Sequence, residues 1–424
     1  MLDRYPERLH WLLYALLFSL LLLLTPTAGH VFDVQFWEAW ATHMGAHGLG
    51  SAYTLVHNNY NPLYQYVLYG YAKLAGSSHA ITTYIHCLKA VTLLFDFGGA
   101  ILAVRYFGWG DGNQRFILSL LFLLNVGYLY DTVAWEQVDA IVSTLVFVAV
   151  VQALRQRPVS SFVWQVLALN MKTQAIIFLP PLLLLWAPQW WLAPRRLLQA
   201  VALGAAVQGL ILLPFIKSGA VPRILFLVRD AVDHYPTATL NCYNLWVFVF
   251  SDFLVPDTQV YAGLTCKAWG LLSFCAASAI ILLPLGLAAL HKLRTRATFG
   301  AADYSLVLLS LGLVPLAFCF FNTQMHERYW HPALLLLGAH AILTRRYALF
   351  GVFSLAYYLN LEAVLHHLGA FSHYPNLLFR PKLVASLFGA VLLGGTWQLY
   401  RLASPWVAWQ LLRQPRRPAV AVPA

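Results

Sequence analysis

One carboxylate is placed where it could do chemistry at the edge of a membrane. Asp33 follows the first strongly apolar run, residues 11–25, after only a few residues. A positioned carboxylate can remove the proton from an attacking hydroxyl group, and such general-base catalysis contributes roughly 10²- to 10⁴-fold to a rate. The alternative role is structural, because Asp is favoured at the N-cap of a helix and a helix is predicted to begin here. The two roles are compatible, and at this point both stay open.

Apolar residues after Asp33 recur at helical spacing, on the face opposite Glu38 and Thr42: Phe36, Trp37, Trp40 and Met44. This pattern predicts a helix that lies in the membrane interface with its aromatic face toward lipid. Glu38 lies one to two turns beyond Asp33, so it is a second candidate for the base. Asp139, at the start of a later apolar run, is a third candidate.

Basic residues near the ends of two other apolar runs could bind an anionic group. Arg328 keeps its charge and matches phosphate oxygens bidentately, and His326 beside it is a predicted helper. The alternative is a solvated turn in which Glu327 and Arg328 form an exposed ion pair of little energetic value. Lys172 is a third candidate for phosphate binding, or it pairs with a buried carboxylate such as Asp96.

Other common chemistries find little support in the sequence. His43 and His47 have metal-ligand spacing on a helix and His57 is nearby, but nothing completes a site, so no metal is predicted. The five cysteines lack CxxC spacing, which favours roles as small buried hydrophobes, although a Cys242–Cys266 bridge stays open if both face an oxidising compartment. Nucleophile motifs, Walker loops and dinucleotide-binding fingerprints are absent, and no cofactor is expected.

The composition indicates a membrane protein. Of 424 residues, 60% are hydrophobic and only 10% are charged, with a mean hydropathy of +0.66. A soluble protein of this length cannot bury so much apolar surface, so we expect a polytopic membrane protein. The net charge of +11 is spread through short loops without a basic, aromatic-interleaved stripe, which excludes a nucleic-acid partner as its explanation.

The apolar runs predict an all-helical fold. About 20 apolar residues cross a bilayer as a helix, and we predict about twelve spans, of which the sixth is the weakest because Pro180, Pro181 and Pro188 interrupt it. The N-terminal run also has the charge and cleavage-zone pattern of a signal peptide, but the many later spans favour an uncleaved first helix. The predicted spans are residues 11–28, 83–106, 116–132, 138–154, 161–177, 178–192, 197–216, 263–289, 304–321, 331–344, 347–368 and 382–400.

The distribution of charge predicts sidedness. With the N-terminus in the cytoplasm, 17 of the 27 basic residues fall on the inner side and eight on the outer side, as the positive-inside rule requires. Counting residues 61–74 as a span would lose this pattern, so that short stretch is predicted to be an interfacial helix. We therefore expect one integral membrane domain, 1–424, with two short helices in an outer loop at 31–76, a long outer loop at 217–262 and a mobile cytoplasmic tail at 403–424.

Polar segments converge on the outer face under this topology. They are residues 30–40, 58–64, 134–139, 239–246 and 322–329, with 172–174 as a possible sixth. An internal repeat is not visible, so the sequence does not support a transporter built from inverted repeats.

These segments resemble the GT-C superfamily of polyprenyl-phosphate-sugar-dependent glycosyltransferases, and within it the bacterial relatives of the second mannosyltransferase of GPI-anchor assembly. The similarity covers residues from about 30 to 335. It rests on the Asp after span one with a following Trp-x-x-Trp, then Tyr-x-Pro, Trp-x-Gln-Val-Asp, Lys-x-Gln, Asn-x-x-Asn-Leu-Trp and Gln-Met-His-Glu-Arg-Tyr, all in the family's order. The chain departs at Asn61, where the family usually has Pro, and at Glu136, where it usually has Gly.

The resemblance implies a GT-C fold and a chemistry. In such enzymes a lipid-linked donor enters from the outer leaflet, the loop after span one supplies the base, and the sugar moves with inversion without a metal. Asp33 is then the catalytic base, and Arg328, His326 and Lys172 face the donor phosphate. The expected sugar- and acceptor-binding residues are Glu38, Tyr60, Gln137, Asp139, Gln174, Asn241, Asn244 and Glu327.

The predicted function is that of a multi-pass glycosyltransferase of the bacterial inner membrane, with both termini cytoplasmic. It would move a hexose, with mannose expected, from a polyprenyl-phosphate donor to a glycan, glycolipid or protein acceptor on the periplasmic or luminal side. One alternative is a transporter or flippase of lipid-linked sugars. Another is an undecaprenyl-linked glycan polymerase or ligase, which uses a diphosphate leaving group. The enzyme hypothesis requires that Asp33 and Arg328 share one pocket.

Overall fold

The fold is all-α in the part of the chain that the computed structural model describes, residues 7–24, 29–230, 235–252, 254–373 and 376–403. Helix makes up 79% of the protein. Four short 3₁₀ segments and one antiparallel hairpin, in which Val260–Tyr261 pairs with Leu264–Thr265, complete the described secondary structure. The predicted tail beyond residue 403 lies outside the described residues.

The α-helices are α1 (Glu7–Leu24), α2 (Val31–His47), α3 (Pro62–Ala75), α4 (Ser78–Thr83), α5 (Lys89–Phe107), α6 (Gly112–Leu123), α7 (Val126–Val133), α8 (Asp139–Leu154), α9 (Pro158–Met171), α10 (Leu179–Leu192), α11 (Arg195–Lys217), α12 (Val221–Asp230), α13 (Trp246–Val249), α14 (Cys266–Thr295), α15 (Tyr304–Phe321), α16 (His331–Thr344), α17 (Ala348–Leu365), α18 (Ala370–His373) and α19 (Pro381–Ala403). The 3₁₀ segments are Leu49–Thr54, Ile85–Leu88, Thr173–Phe178 and Ala301–Asp303.

Seven helical segments of the described chain are long and apolar enough to cross a membrane, or eight if α6 and α7, which meet at 60°, form one bent span. The protein is therefore a multi-pass membrane protein, as its composition predicts. The seven are Ile85–Phe107, Thr173–Leu192, Arg195–Lys217, Cys266–Thr295, Ala301–Phe321, Ala348–Leu365 and Pro381–Ala403. Each of the twelve predicted spans overlaps a helix, but α8, α9 and α16 have only 14 to 16 residues, and residues 25–28 of the first predicted span lie outside the described residues. The predicted boundary between 161–177 and 178–192 is wrong, because Thr173–Leu192 forms one apolar helical segment.

The helices divide into a buried centre and an apolar periphery. In the most apolar stretch of Ala301–Phe321, 72% of residues are buried inside the protein, against 17% in α11 and in α14. Helices α8 and α16 are likewise buried on nearly every face. A helix that is apolar all round is expected to be enclosed either by protein or by lipid. Here α8, α15 and α16 are enclosed by protein, while α11 and α14 present their apolar faces outward.

Polar residues at the helix ends define several of these elements. The side chain of Asp111 accepts a hydrogen bond from Gln114 N and completes a capping box at the start of α6. Asn125 separates α6 from α7, because its side chain caps α7 through Tyr128 N and also accepts a bond from Ser354 Oγ. The bend between α6 and α7 is thus fixed by one asparagine and by α17, which carries Ser354.

Helices α2 and α3 are the two short helices predicted between residues 31 and 76, but their packing differs from the prediction. Trp37 and Trp40 are each only 2% exposed and Met44 is fully buried. Their rings pack against α3 and the residues before it, with ring centroids 5.9 Å apart for Trp37 and Tyr64 and 5.5 Å apart for Trp40 and Tyr60. The expected lipid-facing position is therefore wrong for Trp37, Trp40 and Met44, although Phe36 of the same predicted face is 42% exposed. Periodicity identifies an apolar face without identifying what covers it.

Two structural alternatives are also resolved. His30 occupies the N-cap of α2, so Asp33 lies in the first helical turn instead of capping the helix. A carboxylate in that turn still interacts favourably with the helix dipole. Cys242 and Cys266 are both free thiols, so the bridge between them does not form.

The close approach of α16 to α6 gives a test of the packing. A Cβ at Gly338 would overlap the ring of Phe122, which is fully buried and cannot move aside. We expect Gly338→Ala to destabilise the protein by about 1–3 kcal/mol, since overpacking forces strained rotamers or backbone shifts. Thermal unfolding in detergent measures the effect.

Gly351→Ala, in α17, is the matched control because a Cβ there meets nothing within 4 Å. It should leave stability unchanged or raise it by up to about 1 kcal/mol, the helix-propensity difference between Gly and Ala. Equal effects of the two substitutions would contradict the described packing of α6 on α16.

Candidate functional site

The carboxylate of Asp33 lies at a junction of segments that are distant in sequence. Its Oδ2 atom accepts a hydrogen bond of 2.7 Å from Gln137 Nε2. The same oxygen is 3.8 Å from Arg328 Nη1 and 3.6 Å from His30 Nδ1. The structure therefore brings together Asp33 and Arg328, the two residues on which the enzyme hypothesis depends.

Gln137 is held in place before it reaches Asp33. It lies in the turn between α7 and α8, where its backbone N–H donates to Asp131 O at 2.8 Å. The hydroxyl of Tyr60 donates to Gln137 Oε1 at 3.4 Å. Burial, with Asp33 nearby, raises the pKa of Tyr60 well above its usual value, so this hydroxyl keeps its proton. The amide of Gln137 is thereby oriented with its NH₂ group toward the carboxylate.

Arg328 lies in the turn between α15 and α16. Its backbone carbonyl accepts hydrogen bonds from Tyr357 OH at 3.3 Å and from His331 N at 3.1 Å. Its guanidinium is 3.7 Å from Glu327 Oε1 and lies over the ring of Tyr329. Arg328 Nε is buried and has no hydrogen-bond acceptor among the described residues. The guanidinium thus has one unused buried donor, and 13% of the Arg328 side chain stays exposed.

Lys172 has a different partner from the one considered in the sequence. Its Nζ atom is 2.5 Å from Asp139 Oδ1, so the buried carboxylate that it pairs with is Asp139 and not Asp96. Lys172 Nζ also lies 5.0 Å from the centroid of the Tyr329 ring, and Arg328 Cζ lies 5.9 Å from the same centroid. Both cations therefore lie beside one aromatic side chain. Gln174, two residues after Lys172, interacts with the hydroxyl of that same tyrosine.

The His-Glu-Arg turn is buried and not solvated. Glu327 is 2% exposed, which rules out the alternative of an exposed Glu327–Arg328 pair. Burial raises the pKa of Glu327 to about 7, although Arg328 opposes the shift. His326 Nδ1 is 3.9 Å from Glu327 Oε2, and its ring lies between those of Tyr235 and Tyr329.

Four side chains of this group keep a small accessible fraction, between 13% and 21%. They are Asp33, Arg328, Lys172 and His326. By contrast, Gln137, which contacts Asp33, is 0% exposed, and Asp139, which pairs with Lys172, is 1% exposed. The arrangement is a mostly buried polar group of one carboxylate and several nitrogen donors, which are the side chains that bind a hydroxyl and a phosphate.

Three predicted site residues have other roles. Asn244 is fully buried, and its side chain donates to Cys319 O and Asn322 O, which fixes the 239–246 segment on the end of α15. The carbonyl of Asn241 accepts a bond from Asn360, and its side chain is exposed. Glu38 accepts a bond from Thr82 and lines a separate open cavity of about 700 Å³. The structure does not bring Glu38 to the group around Asp33.

A second buried ion pair beside the site was missed in the sequence. Lys89 Nζ is 2.5 Å from Glu136 Oε1, and His86 Nδ1 is 2.9 Å from Glu136 Oε2. Lys89 and Glu136 are 1% and 3% exposed. The sequence signal was a lysine inside an apolar run and an acid at the end of another, but nothing in their spacing paired them. Since Glu136 precedes Gln137, this pair anchors the turn that supplies the hydrogen bond to Asp33.

The two departures from the family pattern sit at backbone angles that suit the family's usual residues. Glu136 has a φ of 63°, in the left-handed region that favours Gly. Asn61 has a φ of −66°, the angle to which Pro is restricted. In this chain the ion pairs with Lys89 and His86 stabilise the left-handed backbone conformation of Glu136. The side chain of Asn61 donates to Leu169 O at 2.8 Å and links the start of α3 to α9.

Comparison with known proteins adds no family assignment. No protein-family model matches this chain, and no curated protein matches its sequence.

The Lys89–Glu136 pair predicts an asymmetric stability effect. Glu136→Gln leaves the Lys89 ammonium buried without its counter-charge, and we expect a loss of about 3–5 kcal/mol. The double variant Lys89→Met with Glu136→Gly removes both charges and also relieves the left-handed backbone, so it should recover most of that loss. Chemical unfolding measures both. Asp252→Asn is the control, because this carboxylate is exposed and accepts a bond from Leu254 N, so the change should alter stability by at most about 1 kcal/mol.

Glu327 predicts a pH dependence of stability. Its folded pKa of about 7 exceeds the ordinary value of 4.5, so the folded state binds the proton more tightly than the unfolded state. The contribution of Glu327 to the free energy of unfolding is therefore full below pH 4.5, falls as the pH rises toward about 7, and is lost above that value. The total change is on the order of 3 kcal/mol. Glu327→Gln should remove this fall from the stability–pH profile, and an unchanged slope in the variant would count against the buried, protonated state.

Proposed function

We propose that this protein is an inverting glycosyltransferase that moves a hexose, with mannose as the expected sugar, from a polyprenyl-phosphate donor. The acceptor is a glycan, glycolipid or protein hydroxyl on the periplasmic or luminal side of the membrane. The observation that carries the proposal is the 3.8 Å approach of Arg328 to the Asp33 carboxylate. This approach supports a site that combines a base with a phosphate-binding cation. We propose that the site lies in a GT-C fold of about twelve spans with both termini in the cytoplasm.

Asp33 supplies the base in this proposal. Its Oδ2 atom accepts the hydrogen bond from Gln137, and the side chain is 21% exposed, which leaves the carboxylate accessible to an acceptor hydroxyl. The acceptor hydroxyl transfers its proton to this carboxylate as the hydroxyl oxygen attacks the anomeric carbon. The bond from that carbon to the phosphate oxygen breaks on the opposite face, which inverts the configuration, and polyprenyl phosphate leaves with the bonding electron pair.

Arg328 and its neighbours stabilise the leaving group. The phosphate gains negative charge as the glycosidic bond breaks, and preorganised donors lower the barrier most when they point to where that charge develops. Arg328 has a buried Nε without an acceptor in the described chain, and Lys172 flanks the same tyrosine ring. His326 lies at the other edge of that ring. In this proposal, these side chains bind one phosphate group without a metal ion.

A transporter or flippase of lipid-linked sugars is the second candidate. One observation favours it, namely the presence of two carboxylates and a histidine, Asp96, Asp131 and His331, that are completely buried among the helices. Intramembrane ionisable groups commonly mark transport pathways. A flippase moves the intact donor, whereas a transferase releases polyprenyl phosphate, so the product separates the two. A polymerase or ligase would in turn be inhibited by polyprenyl diphosphate in preference to the monophosphate.

The direct test of the base uses purified protein with a polyprenyl-phosphate hexose and a panel of acceptors. Asp33→Asn preserves the size of the side chain and removes the base, so release of polyprenyl phosphate should fall by at least about 100-fold. Asp252→Asn, at an exposed carboxylate that caps only Leu254 N, should release product at the wild-type rate. Normal turnover by Asp33→Asn, with the fold intact, removes this assignment.

The phosphate contact predicts a second effect. Arg328→Lys keeps the positive charge but loses the planar fork, and we expect the rate of polyprenyl phosphate release to fall about 10- to 1,000-fold. Free polyprenyl phosphate should inhibit the wild type more strongly than it inhibits the variant. Equal inhibition of both proteins would place the phosphate elsewhere.

A further inference from the structure

A second group of ionisable side chains lies directly behind Arg328 and has no part in the proposed reaction. Asp96 comes from α5, Asp131 from α7 and His331 from the start of α16, and all three are 0% exposed. His331 Nε2 is 4.0 Å from Asp96 Oδ1, and His331 Nδ1 is 3.8 Å from Asp131 Oδ2. The imidazole therefore lies between two carboxyl groups at distances longer than a hydrogen bond.

The atoms of this group lack ordinary partners. Both oxygens of Asp96, both oxygens of Asp131 and His331 Nε2 are buried without a hydrogen bond within the described chain. Two tyrosine hydroxyls point elsewhere, since Tyr128 OH donates to the backbone carbonyl of Asp96 and Tyr357 OH donates to Arg328 O. Tyr357 OH is also 3.4 Å from His331 Nδ1. The hydroxyl of Thr132 is the remaining donor beside Asp96, so Asp131 is the carboxyl left without one in the described chain.

The charged groups that face the cluster do not balance two carboxylates. Asp139, Lys172 and Arg328 all act electrostatically on Asp131. Lys172 is paired with Asp139, and Arg328 faces Asp33 and Glu327. An ionised group buried without compensation costs several kcal/mol. The ordinary response of a buried carboxylate in this position is to bind a proton and become neutral.

We propose that Asp96, Asp131 and His331 form a buried proton-binding site, in which at least one of the two carboxyls is a neutral carboxylic acid at neutral pH. The bound proton removes a negative charge that no facing cation compensates. This site is separate from the base Asp33, and its proton takes no part in the transfer of the sugar.

The proton site is mechanically and electrostatically linked to Arg328. The backbone N–H of His331 donates to Arg328 O at 3.1 Å, and Tyr357 OH contacts both residues. An anion bound to Arg328 and Lys172 would cancel part of their attraction for an ionised Asp131. The cluster should therefore take up a proton when a phosphate binds, and this coupling, unlike the site itself, rests on the proposed phosphate-binding role of Arg328.

Infrared spectroscopy of the purified protein tests the site directly. At mildly alkaline pH, above the value of about 7 for Glu327, the wild type should show the C=O stretch of a protonated carboxyl group. The double variant Asp96→Asn with Asp131→Asn should lose that band, and Asp303→Asn, at the partly exposed partner of Lys292, should keep it. A wild-type spectrum without the band, or an unchanged band in the double variant, overturns the proposal.

Single substitutions provide an independent test that does not require the double variant to fold. Asn has the shape of a neutral carboxylic acid, so at least one of Asp96→Asn and Asp131→Asn should unfold within about 2 °C of the wild type at neutral pH. If both carboxyls are ionised, each substitution removes an uncompensated buried charge and should raise the unfolding temperature. A gain of more than about 5 °C in both single variants, or a loss of that size in both, would contradict the neutral state.

The coupling is measured by calorimetric titration of farnesyl phosphate into the protein in buffers of different ionisation enthalpy. The wild type should take up more protons per ligand bound than the Asp96→Asn, Asp131→Asn double variant, by up to one proton. Equal uptake refutes the coupling. An absence of binding by either protein would instead count against the proposed function, and the infrared band still decides whether the proton site exists.

Discussion

Three ion pairs between distant parts of the chain position the polar groups of this protein, because a buried charge is costly unless an opposite charge matches it. Glu136 in the middle of the α7–α8 turn faces Lys89 of α5, Asp139 faces Lys172, and Asp33 faces Arg328. Because breaking such a pair costs more than forming it gains, each pair acts chiefly as a positional constraint. Together they fix where α2, α5, α8 and the α15–α16 turn meet.

The apolar part of the structure works under a different constraint. Lipid is as apolar as the helix surfaces, so burial of hydrophobic area cannot by itself choose one helix arrangement inside a membrane. Close contacts between helices select the arrangement here, for example where Gly338 packs against Phe122 and Gly127 packs against Ser354. The peripheral helices α11 and α14 keep their apolar surface outward, whereas α15 and α16 are enclosed. The buried ion pairs sit at the end of this enclosed centre, where the connecting turns gather.

The sequence was informative where local chemistry decides the outcome. Run length and periodicity predicted helices at all twelve apolar segments and two short helices between residues 31 and 76. Asp33 and Arg328 were also predicted to meet, from the resemblance and from topology together. The predictions that were wrong concerned contacts between residues that are far apart in the sequence. The aromatic face of α2 was expected to contact lipid but packs on α3, and Lys172 pairs with Asp139 instead of Asp96. Periodicity and charge counts carry no information about such pairings.

The same limit explains the residues that sequence reasoning overlooked. Glu136 was noted in the sequence only as a departure from the family pattern, because its left-handed backbone and its ion pair with Lys89 exist only in the folded chain. His331 lies just beyond the recognised His-Glu-Arg-Tyr motif and gave no signal of its own, although it contacts two buried carboxyls. Conversely, Asn244 has the polar character of a ligand-binding residue but uses its side chain to hold backbone carbonyls.

The central claim is that Asp33 and Arg328 are two parts of one site for a lipid-linked phosphate sugar. The most direct measurement is a structure of the protein with polyprenyl phosphate bound. The account predicts phosphate oxygens within hydrogen-bond distance of the Arg328 guanidinium, with the Asp33 carboxylate facing the space left for the sugar and acceptor. A phosphate held elsewhere, for example in the open cavity beside Glu38, with packed protein between it and Asp33, would contradict the claim.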